Sequence, residues 1–168
     1  MYKLINYYYN KKILRDKVNL IADHNFLKIK SINNIITIKK LTDKNNKFVV
    51  KRYYEQNLNL RLITEIKDFL NKFHLKPKDN VIHSIIIPPH HELEWHVDYD
   101  RLCSINVPLT DNCVIELKED SIQYDVPILI NSSSCSHRVF NNTLEDRQIL
   151  SISFYQPFND IYKLVDSK

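Results

Sequence analysis

Residues 81–109, "VIHSIIIPPHHELEWHVDYDRLCSINVPL", decide how the rest of the chain is read. Three short runs rich in β-formers stand in it: "VIHSIII" (81–87), "LEWHV" (93–97) and "LCSINVPL" (102–109). Pro88-Pro89 separates the first from the second, and the acidic "DYD" separates the second from the third. Proline cannot donate to a sheet ladder and Asp favours turns, so these are strand boundaries. The same pattern continues through "CVIELK" (113–118), "SIQYD" (121–125), "PILIN" (127–131), "HRVF" (137–140) and "RQILSISFY" (147–155). Short strands at about 8–12-residue spacing, with turn residues between them, indicate a sandwich or a small barrel.

Eight such segments fit a mainly β chain with a flanking helix, a jelly roll (double-stranded β-helix, cupin-like) whose two sheets close round a pocket. The expected organisation is one domain over 1–168, with a jelly-roll core at 81–156 and a mixed α/β region at 1–78. That first region holds β-rich pieces, "NNIITIKKL" (33–41) and "KFVVKRYY" (47–54). Residues 59–75 are expected to form a helix. Leu62, Ile63, Ile66, Phe69, Leu70 and Phe73 recur at the spacing of one buried face, and Pro77 cannot continue it. The helix would cover the outside of one sheet.

The composition has one abnormal feature, the complete absence of glycine. Average usage of about 7% would give roughly a dozen. With Ala22 the sole alanine and Lys, Asn, Ile and Tyr abundant, this reads as AT-rich coding. Turns that need a positive φ must then use Asn or Asp, and Asn33-Asn34, Asn45-Asn46 and Asn141-Asn142 are the expected places. The net charge of +4 follows from the same bias toward Lys. A basic patch in the first 80 residues stays open as a contact for nucleic acid or an acidic surface. Cys103, Cys113 and Cys135 form no C-x-x-C and leave an odd count, which argues against a disulfide scaffold or zinc ribbon and for a reducing compartment. The N-terminus lacks an uninterrupted apolar core, and no apolar run is long enough to span a bilayer. The expected compartment is the cytoplasm, a host's if the chain is viral.

Within "LEWHV" and the residues after it lies His96-Val97-Asp98. Alone, H-x-D is either two metal ligands or a polar patch. On a strand, i and i+2 share a side, so His96 and Asp98 project together while Trp95 and Val97 face away, toward outer-layer packing. A mononuclear Fe(II) oxygenase needs two His and one carboxylate on one face of the metal. His137, opening a later strand, is the natural third ligand. Arg147 follows ten residues on. Its guanidinium is suited to bidentate capture of the distal carboxylate of a 2-oxo acid that chelates the iron. Along the last strand Arg147, Ile149, Ser151, Ser153 and Tyr155 share one side, which would line the co-substrate pocket. Gln148, Leu150, Ile152 and Phe154 share the other, which would pack outward.

This order of H-x-D, a distal His and an Arg resembles the Fe(II)/2-oxoglutarate-dependent oxygenase superfamily. Residues 85–158 are similar to its aspartyl/asparaginyl β-hydroxylase-like branch, through "PPHHELEWHVDYDRLCSINVPL" and "SHRVFNNTLEDRQILSISFYQP". The resemblance covers a little under half the chain. It implies that His96, Asp98 and His137 bind Fe(II) and that Arg147 holds 2-oxoglutarate. Ser104, Asn106 and Ser151 would then be further co-substrate contacts. The reaction would consume O₂ and 2-oxoglutarate and hydroxylate a C–H bond of a small molecule, amino acid or peptidyl side chain. Two departures matter. Val126-Pro127 stands where the family has a glycine, and Asp98 is a carboxylate that vertebrate-type members of the branch lack, so their substrate preference is not transferred.

The remaining polar residues read more plainly. His90 and His91 lie in a loop before the strand, as loop residues or substrate contacts rather than ligands, His83 is packed or hydrogen-bonded in the first β segment, and His24 and His74 are at the surface. Asp100 is a rival carboxylate past the strand end, and Arg101 reaches the pocket mouth. Arg147 read alone is an ion-pair partner of Glu145 or Asp146. Three rival functions stay on the table. A nucleobase-modifying oxygenase would carry a second Arg six residues after Arg147, where Ser153 stands. A metal cupin would use no 2-oxo acid. A non-catalytic jelly-roll module would need no iron.

Overall fold

The computed structural model describes residues 1–26, 38–40, 56–59, 63–77 and 81–167. All eight expected core segments are strands: β4 (Val81–Ile87), β5 (His91–His96), β6 (Cys103–Pro108), β7 (Cys113–Leu117), β8 (Ser121–Tyr124), β9 (Ile128–Ile130), β10 (His137–Asn141) and β11 (Arg147–Phe154). Three short strands precede them, β1 (Tyr2–Leu4), β2 (Ile38–Lys40) and β3 (Gln56–Asn59). One sheet has the order β1-β9-β6-β11-β4-β3 and the other β2-β5-β10-β7-β8, with every described pairing antiparallel. Strands β4 to β11 pass repeatedly between the two sheets, which is the double-stranded β-helix. The described N-terminal strands are thus part of both sheets: β1 and β3 form the two edges of the six-stranded sheet, and β2 is an edge of the five-stranded one.

Helices α1 (Lys11–Phe26), α2 (Thr64–Lys72) and α3 (Phe158–Asp166) complete the described elements. Alternation along the strands divides the core in two. Cys103, Ile105, Val107, Leu150, Ile152 and Phe154 face outward from the six-stranded sheet and join Leu14, Val18, Ile66, Phe69, Phe158 and Ile161 of the helices. The opposite faces enclose Ile87, Ile115, Tyr124, Ile128, Val139 and Ile149 inside the barrel. The expected apolar side of the last strand therefore packs on helices. Gln148, the polar exception there, donates to Asn19 Oδ1 at 2.9 Å and Ser84 Oγ at 3.1 Å, pinning α1 to the sheet.

Several boundaries differ from the expectation. The helix expected over 59–75 covers Thr64–Lys72, because Gln56–Asn59 pairs with β4 as a strand. It ends before Pro77 has any influence. His74 takes φ 54, its N–H bonds Asn71 O at 3.2 Å, and Leu75 N–H bonds Leu70 O at 2.9 Å. That is a Schellman closure with His where glycine is usual. The other left-handed positions are His90 at φ 58 and Asn112 at φ 56. Asn141 does not take a positive φ. Its side chain shapes the following loop instead, donating to Ile87 O and Glu145 O and accepting from Thr143. Asn33-Asn34, Asn45-Asn46, the strand expected at 47–54 and most of that at 33–41 lie outside the described residues. Helix α1 was not expected. Its cap is Asn10, whose Oδ1 accepts from Ile13 N–H at 3.0 Å. His91 opens β5 and is not a loop residue. Among the described residues, no helix is long and apolar enough to cross a membrane.

Candidate metal centre

His137 is the first residue of β10 and pairs directly with His96, the last residue of β5. Two residues on, Val139 pairs with Leu93, so β5 carries one extra residue between these points. This β-bulge at Glu94–Trp95 is what turns His96 inward. Leu93 packs against the barrel interior, and strict alternation from it would send His96 outward. Because the bulge shifts the phase, Leu93 and His96 both face in. Trp95 lies outside, 46% exposed beside the Arg138 guanidinium, rather than beneath an outer layer.

Asp98 lies past the end of β5, so the strand-parity reason for pairing it with His96 does not hold. Its backbone N–H donates to Ser132 O at 2.9 Å, and this fixes the turn that brings it back. One ligating atom each from His96, Asp98 and His137 lies within 4.8 Å of the others. The imidazoles are 4.3 Å apart between centroids. Each imidazole sets its Nδ1 against a backbone carbonyl, Glu94 O at 2.6 Å for His96 and Cys135 O at 3.0 Å for His137. A carbonyl only accepts, so both Nδ1 atoms carry a proton and Nε2 is the atom each ring turns toward a ligand. Burial holds the His137 imidazole below its usual pKa, in the neutral form that ligates metals. Two imidazoles and one carboxylate brought together in this way fit a divalent ion, and they are the donor set of non-haem Fe(II) centres. Asp100 lies outside this cluster and is largely exposed.

The inner face of the six-stranded sheet forms the opposite wall. Since Cys103, Ile105 and Val107 face the helices, Ser104 and Asn106 face inward, and they pair with Ser153 and Ser151 of β11. Asn106 Oδ1 is buried without a partner. Arg101 reaches far past the pocket mouth where sequence placed it. Its Nη1 donates to Ser153 Oγ at 2.8 Å and Ser151 Oγ at 3.4 Å, and its Nε lies 2.9 Å from Asp98 Oδ2.

Arg147 has only 3% of its surface exposed. It donates to Phe140 O at 3.1 Å and to Tyr124 Oη at 3.0 Å, and its Nε has no partner. Among the described residues no carboxylate is in ion-pair contact with it, so Glu145 and Asp146 do not neutralise it. A buried cation without a counter-ion is costly unless a ligand supplies the charge. Tyr124 was missed in the sequence. Only the alternation of "SIQY" hinted that it points inward, and burial pushes its phenol up to about 12. The phenol therefore stays protonated. Because its oxygen accepts from Arg147, its own proton is left to donate.

The architecture defines a double-stranded β-helix protein with a His-Asp-His centre at one end of the barrel interior. A prolyl-4-hydroxylase from Pseudomonas putida is similar to it with a TM-score of 0.51 and 12% identity, over 91% of this chain and 92% of that one. The viral collagen prolyl hydroxylase of Paramecium bursaria Chlorella virus-1, solved as a 2OG complex, gives 0.53 and 13% over 90% and 94%. At these identities the likeness is one of fold. No protein-family model matches the chain, and no curated protein does.

Proposed function

We propose that the protein is an Fe(II)- and 2-oxoglutarate-dependent dioxygenase that hydroxylates an amino-acid or peptidyl side chain. What carries this reading is the change in character along the barrel interior. Near the triad the wall is polar, made of Ser104, Asn106, Ser151 and Ser153. Ile149 follows on the same face of β11, with Ile87, Ile115 and Val139 around it in the interior cluster. Beyond lies Arg147, buried and, among the described residues, without a carboxylate counter-ion. A dicarboxylate with two methylenes between its ends matches that sequence of polar, apolar and cationic surfaces. Both similar structures are named as prolyl hydroxylases, one of them in complex with 2OG, which agrees with the reading at the level of fold.

His96, Asp98 and His137 would hold the iron, and Arg147 with the Tyr124 hydroxyl would take the distal carboxylate of the co-substrate. Iron bound there supplies O₂ activation coupled to oxidative decarboxylation, giving succinate, CO₂ and a hydroxylated product. The chain's own contribution is placement. The Nδ1 bonds to Glu94 O and Cys135 O fix both imidazole tautomers, and the isoleucines keep the pocket dry. The preference for an amino-acid side chain rests on the resemblance of residues 85–158 to the aspartyl/asparaginyl branch, which is an analogy.

Anaerobic addition of Fe(II) and 2-oxoglutarate should produce the weak visible charge-transfer band of the chelate, and His137→Ala should abolish it. Under air the protein should form succinate slowly without a substrate. Absence of both the band and succinate would refute the function and favour a non-catalytic jelly-roll module.

A further inference from the structure

Among the described residues, Arg101 is a charged side chain inside the barrel that the function above leaves without a task. It sits three residues after Asp98, its side chain only 15% exposed against 11% for that of Asp98. The guanidinium lies along both carboxylate oxygens, with Nε 2.9 Å from Oδ2 and Nη2 donating to Oδ1 at 3.3 Å. Its far edge is fixed to the opposite sheet through Nη1 to Ser153 Oγ at 2.8 Å. The exposed Asp100 carboxylate, 3.5 Å away, is a weaker and solvent-screened partner.

We propose that Arg101 is the positioning residue of the metal-binding carboxylate, a role that rests on the iron-site reading above. Both His ligands are held by strand pairing and by a bond from Nδ1 to a backbone carbonyl. Asp98 has neither kind of support for its side chain. It lies past the end of β5, and the structure gives its carboxylate Arg101 as partner. A carboxylate oxygen has two lone pairs, so Oδ1, which accepts from Arg101 Nη2, keeps one for an ion, while Oδ2 is held by charge at 2.9 Å from Nε without a hydrogen bond. The guanidinium therefore orients Asp98 without using up its capacity to ligate. Through Ser153 and Ser151 it also ties the metal carboxylate to β11, the strand that carries Arg147. Partners of this kind typically set metal affinity by about tenfold to a hundredfold.

Co(II) titrated alone into the apoprotein, followed by its visible absorption, tests this without turnover. Wild type should bind one Co(II) in a manner that His137→Ala removes. Arg101→Gln should weaken binding about tenfold or more and alter the Co(II) spectrum. Arg101→Lys should recover only part of the affinity, because an ammonium lacks the fork. Ser153→Ala, which leaves the Asp98 pair intact and should fold even if the Arg101 variants do not, should give a smaller loss in the same direction. Unchanged or tighter binding in Arg101→Gln, or, if that variant does not fold, unchanged binding in Ser153→Ala, overturns the positioning role alone. If wild type shows no Co(II) binding that depends on His137, the iron site itself is refuted and the role of Arg101 with it.

Discussion

Arg147 carries its charge almost wholly out of water, and its guanidinium donates to the Tyr124 hydroxyl at 3.0 Å. Removing the Tyr124 hydroxyl leaves the guanidinium with one fewer acceptor and the incoming carboxylate with one fewer donor. A hydrogen bond to a charged group contributes about 1.5–3 kcal/mol, so Tyr124→Phe should raise the 2-oxoglutarate concentration needed for half of the charge-transfer band by tenfold or more. The iron-dependent part of binding should be unchanged, which a Co(II) titration of the same variant checks. The inward positions of Arg147 and His137 were legible in the sequence because spacing and residue type point the same way for each. That of Tyr124 was not, because a tyrosine on a strand reads equally well as packing.

At the level of elements, all eight core strands were legible, since each is a β-rich run bounded by Pro, Asn, Asp or Ser. What escaped was the phase within one of them. "LEWHV" alternates so that Leu93, Trp95 and Val97 fall on one side, yet the structure sets Leu93 and His96 on the same side. A bulge has no signature in the single strand, because it is a property of the pair. It has a sharp consequence. Excising Trp95 removes the extra residue, restores an even ladder and leaves His96 opposite His137. The deletion should therefore retain Co(II) affinity within about tenfold, although a loss of one residue beside a ligand ordinarily destroys a site. A folded deletion variant without Co(II) binding would show that the bulge does more than set the phase. Helix α2 was read too long at its start for a related reason: Asn59 belongs to β3, whose partner β4 lies more than twenty residues later.

The whole molecule is a barrel whose inside holds the candidate chemistry and whose helices thicken one wall. Short N-terminal strands supply edges to both sheets, a long-range relation that no local pattern in residues 1–60 announces. The absence of glycine is felt across this fold at three described turns. His74, His90 and Asn112 each hold a left-handed backbone that costs a residue with a Cβ about 1–2 kcal/mol. His74→Gly should relieve that cost, offset in part by the larger freedom glycine has in the unfolded chain. It should raise stability by about 0.5–1 kcal/mol, read as a shift in the urea midpoint at constant slope. The same change inside α2 would do harm. These turns are therefore a reserve of stability held out of reach by coding bias rather than by structure, and a single codon of different composition would open it.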